Sequence, residues 1–407
     1  MHFKTEGGVT APLGFAAMGV HSGIKKEKPD MAMIKSHVPA VAAGTFTTNV
    51  VKAAPVLFDQ KQIFENDYAQ AIVCNSGVAN ACTGKEGMDY CEQTAKMVSE
   101  NLQIDENQVL VTSTGVIGQQ LPMDKIEAGI QMLSITLDES EDGGHLAAEA
   151  IMTTDTKPKE VAYEFRVAGK QCKIGGMCKG SGMIHPNMCT MLSFLTTDVK
   201  ISKELLYEAL SDSVKDSYNM ISVDGDTSTN DTVLILANGL ADNKEIKKKD
   251  KDYEEFVNAL QAVNVELSKM IAGDGEGATA LFEVKVRHAD TKDNAVKLAK
   301  SVVSSSLTKA AICGHDANWG RIMCALGYAG VDFDPEKIDI YFTSAAGQIV
   351  IVENGVATDY SEDQATKILS EDAVTVTCDM KMGEEKATAW GCDLTHEYVS
   401  INADYRS

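Results

Sequence analysis

Residues 179–198 read KGSGMIHPNMCTMLSFLTTD. A lysine is followed by small residues, then Pro186-Asn187, then a hydroxyl residue, Thr190, that opens an apolar run. Pro186 has a fixed φ and pushes His185 towards an extended conformation. The glycines allow backbone shapes closed to other residues. So taut an approach to Thr190 suits intramolecular attack on the peptide bond before it. The Thr190 hydroxyl would attack the Cys189 carbonyl to give an ester, and water would release a new N-terminus. The freed Thr190 would then carry both a hydroxyl and an α-amine, whose ordinary pKa of roughly 8 makes it a usable base. One residue supplies nucleophile and base, which removes the need for a Ser-His-Asp or Cys-His set, and none is evident. The plainer alternative is that Thr190 only caps or enters a core strand.

Outward from this stretch, short strands and helices alternate. QAIVC at 70–74 and QVLVT at 108–112 are apolar and end in turn residues, as strands do. Residues 145–152 read as helical, and a hairpin is expected around 161–178. Ser202 is placed to cap a helix carrying Leu206, Leu210 and Val214 on one face. TVLILA at 232–237 predicts a strand. Phe256, Leu260, Val263, Leu267 and Met270 recur at helical spacing. Residues 279–287 alternate in the manner of a half-buried strand, a helix is expected over 292–306, and Asn354-Gly355 signals a turn. Many of the strands come as hairpins. An α+β fold with mixed sheets therefore fits better than a doubly wound parallel sheet.

The chain has 407 residues, long enough for two domains or one large layered one. With 59 acidic against 37 basic residues its net charge is −22, which disfavours nucleic acid and anionic membranes as partners. The lysines at 247–249 are followed at once by acids and read as a solvated helix start. The ten cysteines show neither CxxC pairs nor zinc spacing. Cys74, Cys313 and Cys324 stand among apolar neighbours, where cysteine acts as a small hydrophobe. A reducing cytoplasm without disulfides or a structural metal is expected. The N-terminus lacks the pattern of a leader peptide, and no run is long enough to span a bilayer.

Other clusters admit two readings. TSTGVIG at 112–118 ends a strand, and is either a simple turn or a set of backbone donors for an oxyanion. GDGEG at 273–277 follows a helix and precedes a strand, the reverse of a dinucleotide-binding turn. Glu276 in it is a solvated loop acid by default, or a partner for a substrate ammonium. His315, in GHDANWGR at 314–321, reads as a structural group.

Taken together, these segments resemble the ornithine acetyltransferase family, the glutamate N-acetyltransferases of arginine biosynthesis. KGSGMIHPNMCTML is similar to that family's self-cleavage motif, KGSGMI-x-PNMAT. GGVTAPLGFAAMGVHSGIK, NSGVANACTG, VTSTGVIGQQLP, AIMTTDT, SVDGDTSTND, GDGEGAT, DANWGR and INADYRS follow the family's order from residue 7 to residue 407. The resemblance implies an N-terminal-nucleophile-like fold, a layered αββα sandwich with mixed sheets plus a smaller α/β domain. Cleavage would leave residues 1–189 and 190–407 as two interleaved chains, assembled as a heterotetramer of two of each or a larger set. Carried over by position, Thr190 is the nucleophile and Thr114 with Gly115 form the oxyanion hole. The substrate-binding positions fall on Thr153 or Thr154 (the alignment favours Thr153), Lys179, Thr190, Glu276, Asn402 and Ser407.

The implied reaction moves an acetyl group from N-acetylornithine to glutamate in two steps, with no metal or redox cofactor. Some members also take acetyl-CoA. The named residues do not separate the two kinds, and the reading leans to the bifunctional one. Lys179 suits a substrate carboxylate, Glu276 an ammonium, and Asn402 either. The sequence departs from the family at Cys189 and His185, where alanine is usual, and at Val78. Cys189 leaves the attacked carbonyl intact, and His185 is expected to pack. The rivals are a self-processed aminopeptidase of similar scaffold and a non-catalytic amino-acid-binding protein.

Overall fold

TVLILA forms a strand buried along its whole length, and the strands beside it explain why it is apolar on both faces. It lies parallel to the strand Leu192–Thr197 and antiparallel to Met31–Phe46, so neither edge nor face meets water. The computed structural model describes residues 2–185 and 191–403. Cys189, Thr190 and Ser407 lie outside the described residues.

The described chain divides into two compact units. The first takes the residues up to Gly180, those from 191 to Asn219, and Thr227–Leu267. The second takes Ser181–His185, Met220–Asp226 and the chain from Ser268 onwards. Neither unit ends at position 190.

In the first unit the strands are β1 (Phe3–Thr5), β2 (Phe15–Val20), β3 (Met31–Phe46), β4 (Tyr68–Val78), β5 (Val109–Val116), β6 (Lys159–Val167), β7 (Lys170–Lys179) and β8 (Leu192–Thr197). The short β9 (Ile221–Ser222) belongs to the second unit, and β10 (Thr232–Ala237) completes the first. The sheet runs β1-β6-β7-β8-β10-β3-β4-β5, with β2 beside β3. β8 pairs with β7 on one side and β10 on the other, so residues from both sides of position 190 alternate across the sheet. The expected hairpin is β6–β7. Ser202 caps the helix Lys203–Lys215 through its hydroxyl, and Leu206, Leu210 and Val214 are buried as expected.

In the second unit β11 (Leu281–Ala289), β12 (Asp339–Ser344), β13 (Gly347–Glu353), β14 (Val356–Ala357), β15 (Ala373–Asp379) and β16 (Glu385–Cys392) form a sheet with β9, ordered β14-β13-β12-β15-β11-β16-β9. Phe282, Val284 and Val286 of β11 are fully buried, while Arg287 is exposed. Asn354 and Gly355 both take positive φ and turn β13 into β14. The α+β class with mixed sheets is what the chain forms.

Three expectations need correcting. The stripe on the helix Lys251–Gly273 continues from Leu267 to buried Ile271 at i+4, and Met270 is only half-buried. The helix expected over 292–306 ends at Ser304, because Ser305 caps a new helix, Ser306–Cys313. Cys313 is half-buried and Cys324 exposed: Cys324 lies off the buried face of the helix Trp319–Gly327, which Ile322, Ala325 and Leu326 form. Cys74 is buried as expected. Among the described residues no helix is long and apolar enough to cross a membrane.

Candidate active site

The site residues that the sequence singles out fall into two groups, one in each unit. In the first, β7 ends on Lys179, which is 8% exposed and pairs in register with Leu192 of β8. Thr190 is joined to β8 through Met191 alone, so the segment expected to be cut leads directly into this strand. Beside Lys179 lies Asp155 of the TTDT segment. Its carboxylate accepts from Lys159 Nζ at 2.6 Å and from the backbone N–H groups of Gly180 at 2.7 Å and Thr153 at 3.0 Å. Burial works to raise the Asp155 carboxyl, but Lys179 and Lys159 together with these donors outweigh it and hold it well below the usual range. Asp155 thus ties the TTDT turn to the end of β7. Thr153 and Thr154 beside it are half-buried.

The oxyanion candidates sit at the end of β5. Thr114 is 9% exposed, and Gly115 pairs with Gly77 of β4. Gly115 has φ +130, and a Cβ there would run into the Gly77 backbone. Glycine is therefore required where the two strands approach. Asn230 locks this corner: its amide donates to the carbonyls of Ser113 at 2.8 Å and Ala79 at 2.6 Å, and its oxygen accepts from Thr229. Two residues on, the Thr232 N–H donates to the Met191 carbonyl at 2.8 Å. A single short segment therefore fixes both the TSTG end of β5 and the residue that leads into β8.

In the second unit, Glu276 is 7% exposed, which corrects the default reading of a solvated loop acid. Its backbone N–H donates to the Ser181 carbonyl at 2.9 Å, and Asn402 Nδ2 donates to its carboxylate at 2.6 Å. Gly182 lies so close beneath that carboxylate that any side chain there would collide with it. Asp224 holds the same strip of chain, accepting from Met183 N at 2.6 Å and Ile184 N at 2.9 Å. His185 Nδ1 meets Ser222 Oγ at 3.0 Å, and burial pushes its pKa down to about 4. It is a neutral packed group, as expected. His315 is exposed, with Nδ1 3.3 Å from Ser370 Oγ.

Sequence reasoning passed over Asp155, Asp224 and Asn230, although all three stand in motifs it quoted. The missing signal was a partner from elsewhere in the chain: Gly180 for Asp155, Met183 and Ile184 for Asp224, and Ser113 and Ala79 for Asn230.

The family model described as the ArgJ family matches residues 16–407. The chain is 52% identical over 397 residues to the arginine biosynthesis bifunctional protein ArgJ of Thermotoga neapolitana, covering 97% of this chain and 99% of that protein. It is 50% identical over 402 residues to the protein of that name from Caldanaerobacter subterraneus subsp. tengcongensis, covering 99% of each. Among solved structures it is similar to an ornithine acetyltransferase from Mycobacterium tuberculosis complexed with ornithine. That match has 42% identity and a TM-score of 0.44, over 46% of this chain and 99% of that one.

Proposed function

The chain belongs to the ArgJ family, and we propose that it is an acetyltransferase of arginine biosynthesis that cuts itself before Thr190 and carries the acetyl group on that residue. What supports the reading most is the near-full-length identity to proteins named as bifunctional in arginine biosynthesis, joined to one observation. The cation expected to meet a substrate carboxylate, Lys179, is buried at the head of the strand pair that leads to Thr190.

In maturation, the Thr190 hydroxyl attacks the Cys189 carbonyl, the C–N bond breaks, and water hydrolyses the ester. Residues 1–189 and 190–407 result, and they stay together because β8 pairs with β7 and β10 with β3. In turnover, Thr190 Oγ attacks the acetyl carbon of N-acetylornithine while the α-amine of Thr190 takes the hydroxyl proton. Thr114 and Gly115 stabilise the oxyanion. The C–N bond breaks, the proton passes to the leaving amine, and ornithine departs. The glutamate α-amine then attacks the acetyl ester, and Thr190 Oγ recovers its proton as N-acetylglutamate leaves. Acetyl-CoA serves as a second donor at the same hydroxyl. Thr153 or Thr154, Lys179, Glu276, Asn402 and Ser407 bind substrate. The exchange is redox-neutral between a hydroxyl and amines, so its chemistry calls for no metal or redox cofactor. Two or more copies of each chain assemble, in the cytoplasm that ten scattered cysteines suit.

Incubation with N-acetylornithine carrying a labelled acetyl group, plus glutamate, is expected to give labelled N-acetylglutamate and free ornithine. Acetyl-CoA plus glutamate should give the same product. Release of acetate or peptide hydrolysis without transfer would favour the aminopeptidase instead, and binding without turnover a non-catalytic protein.

A further inference from the structure

The N-terminal motif ends in HSGIK, residues 21–25. Asp30 knits this loop: one carboxylate oxygen accepts from Ser22 N at 2.6 Å and Ser22 Oγ at 2.9 Å, the other from Gly23 N and Lys25 N, both at 3.0 Å. With Asp30 occupied by the loop, the Lys25 side chain reaches elsewhere. Its ammonium donates to the Pro29 carbonyl at 3.0 Å and to the Met152 carbonyl at 2.5 Å. An ammonium has three N–H donors, and the third has no partner among the described residues.

The position of Lys25 relates it to three parts of the expected site. Met152 immediately precedes Thr153 of the TTDT turn. Lys25 Cγ lies 3.4 Å from where a side chain would begin on Gly77, the strand partner of Gly115. Its ammonium also feels the charge of Lys179. Lys25 is half-buried, so the ammonium is partly stripped of water yet reachable.

An exchange at one nucleophile has to admit two amino acids that share an α-carboxylate but end in opposite charges. Ornithine ends in an ammonium and glutamate in a carboxylate. Lys179 can meet the shared group, and the glutamate side chain then needs a second cation. We propose that the free N–H of Lys25 binds the side-chain carboxylate of glutamate and N-acetylglutamate, which makes Lys25 a specificity-determining residue of the transfer site. The inference rests on the acetyl-transfer reading above. The same lysine tolerates the ornithine ammonium because it gives up its proton readily. Burial, with Lys179 and Lys28 acting in the same direction against Asp30 and Cys74, brings its pKa down to about 8.

The test uses the processed enzyme with ornithine as acceptor and either N-acetylglutamate or N-acetylornithine as donor, the latter followed by isotope exchange. A hydrogen bond between charged groups is worth about 1.5–3 kcal/mol. Lys25→Met should therefore lower the ratio of kcat/KM for N-acetylglutamate to that for N-acetylornithine by about ten- to a hundredfold. Lys25→Arg, which keeps a charged donor, should restore most of that ratio. In the unaltered enzyme the KM for N-acetylglutamate should rise above about pH 8, as Lys25 loses its proton. In Lys25→Arg that rise should vanish. Equal losses for both donors, or no change in the ratio, would overturn the assignment, as would a flat KM for N-acetylglutamate in the unaltered enzyme. The last measurement needs no variant, so it decides the matter even if Lys25→Met fails to fold. Absence of any exchange in the unaltered enzyme would instead sink the transferase reading itself.

Discussion

Asp155 and Asp231 belong to the same unit and are 3% and 2% exposed, yet they are held in opposite charge states. Burial acts on both to favour the neutral acid. At Asp231 it prevails: contacts with Ser228, Thr47 and the charge of Lys179 fall short, and the carboxyl is raised well above the ordinary aspartate range. Its Oδ2 has no hydrogen-bond partner among the described residues. At Asp155 burial loses to two lysines and the N–H donors of Gly180 and Thr153. Depth in the fold therefore does not set the charge of a buried carboxyl; the donors and counter-charges around it do. The anion at Asp155 orders the Lys179 end of β7, whereas Asp231 follows directly on Asn230, which fixes the corner beside Ser113 and Ala79.

The comparison breaks most visibly at Asp155. Asp155→Asn removes the carboxylate that Lys159 Nζ meets at 2.6 Å in the interior, and should cost about 3–5 kcal/mol of stability. Urea denaturation measures it, and a loss below about 1 kcal/mol would mean that the pair is not the ionised bridge described here. A smaller effect is expected when Lys159→Met is added: it removes the cation of the pair as well and should recover part of that loss. Asp231→Asn should have the smallest effect, within about 1 kcal/mol, since it replaces a neutral acid by a neutral amide of similar shape. The pH dependences should also differ in sign. The Asp155 contribution is lost as pH falls below the ordinary aspartate range of about 4. At Asp231 the folded state holds a proton that the unfolded state releases, so stability declines as pH rises from about 4 towards neutrality. Asp231→Asn should flatten that decline, and an unchanged slope would show that the acid is ionised in the fold.

Much of the fold was legible because it is written locally. The strand at 232–237, the Ser202 cap and the stripe through Phe256 to Leu267 each depend on neighbours within a few residues. Candidate site residues could be nominated where a motif names a chemical group, as with Lys179 and Glu276, both of which are buried. What could not be read depends on sheet order. Asn230 meets Ser113 and Ala79 only because β10, β3, β4 and β5 are consecutive in the sheet, over sequence separations of more than a hundred residues. The Lys25–Met152 contact is hidden in the same way. The exposure of Cys324 was misjudged because apolar neighbours in sequence face different sides of a helix.

The central claim is scission between Cys189 and Thr190. Mass spectrometry and N-terminal sequencing of the purified, active enzyme test it most directly. Two chains are expected, residues 1–189 and a second that begins with an unblocked Thr190, and one uncut inactive chain for Thr190→Ala. An active enzyme whose bond between Cys189 and Thr190 is intact would contradict it.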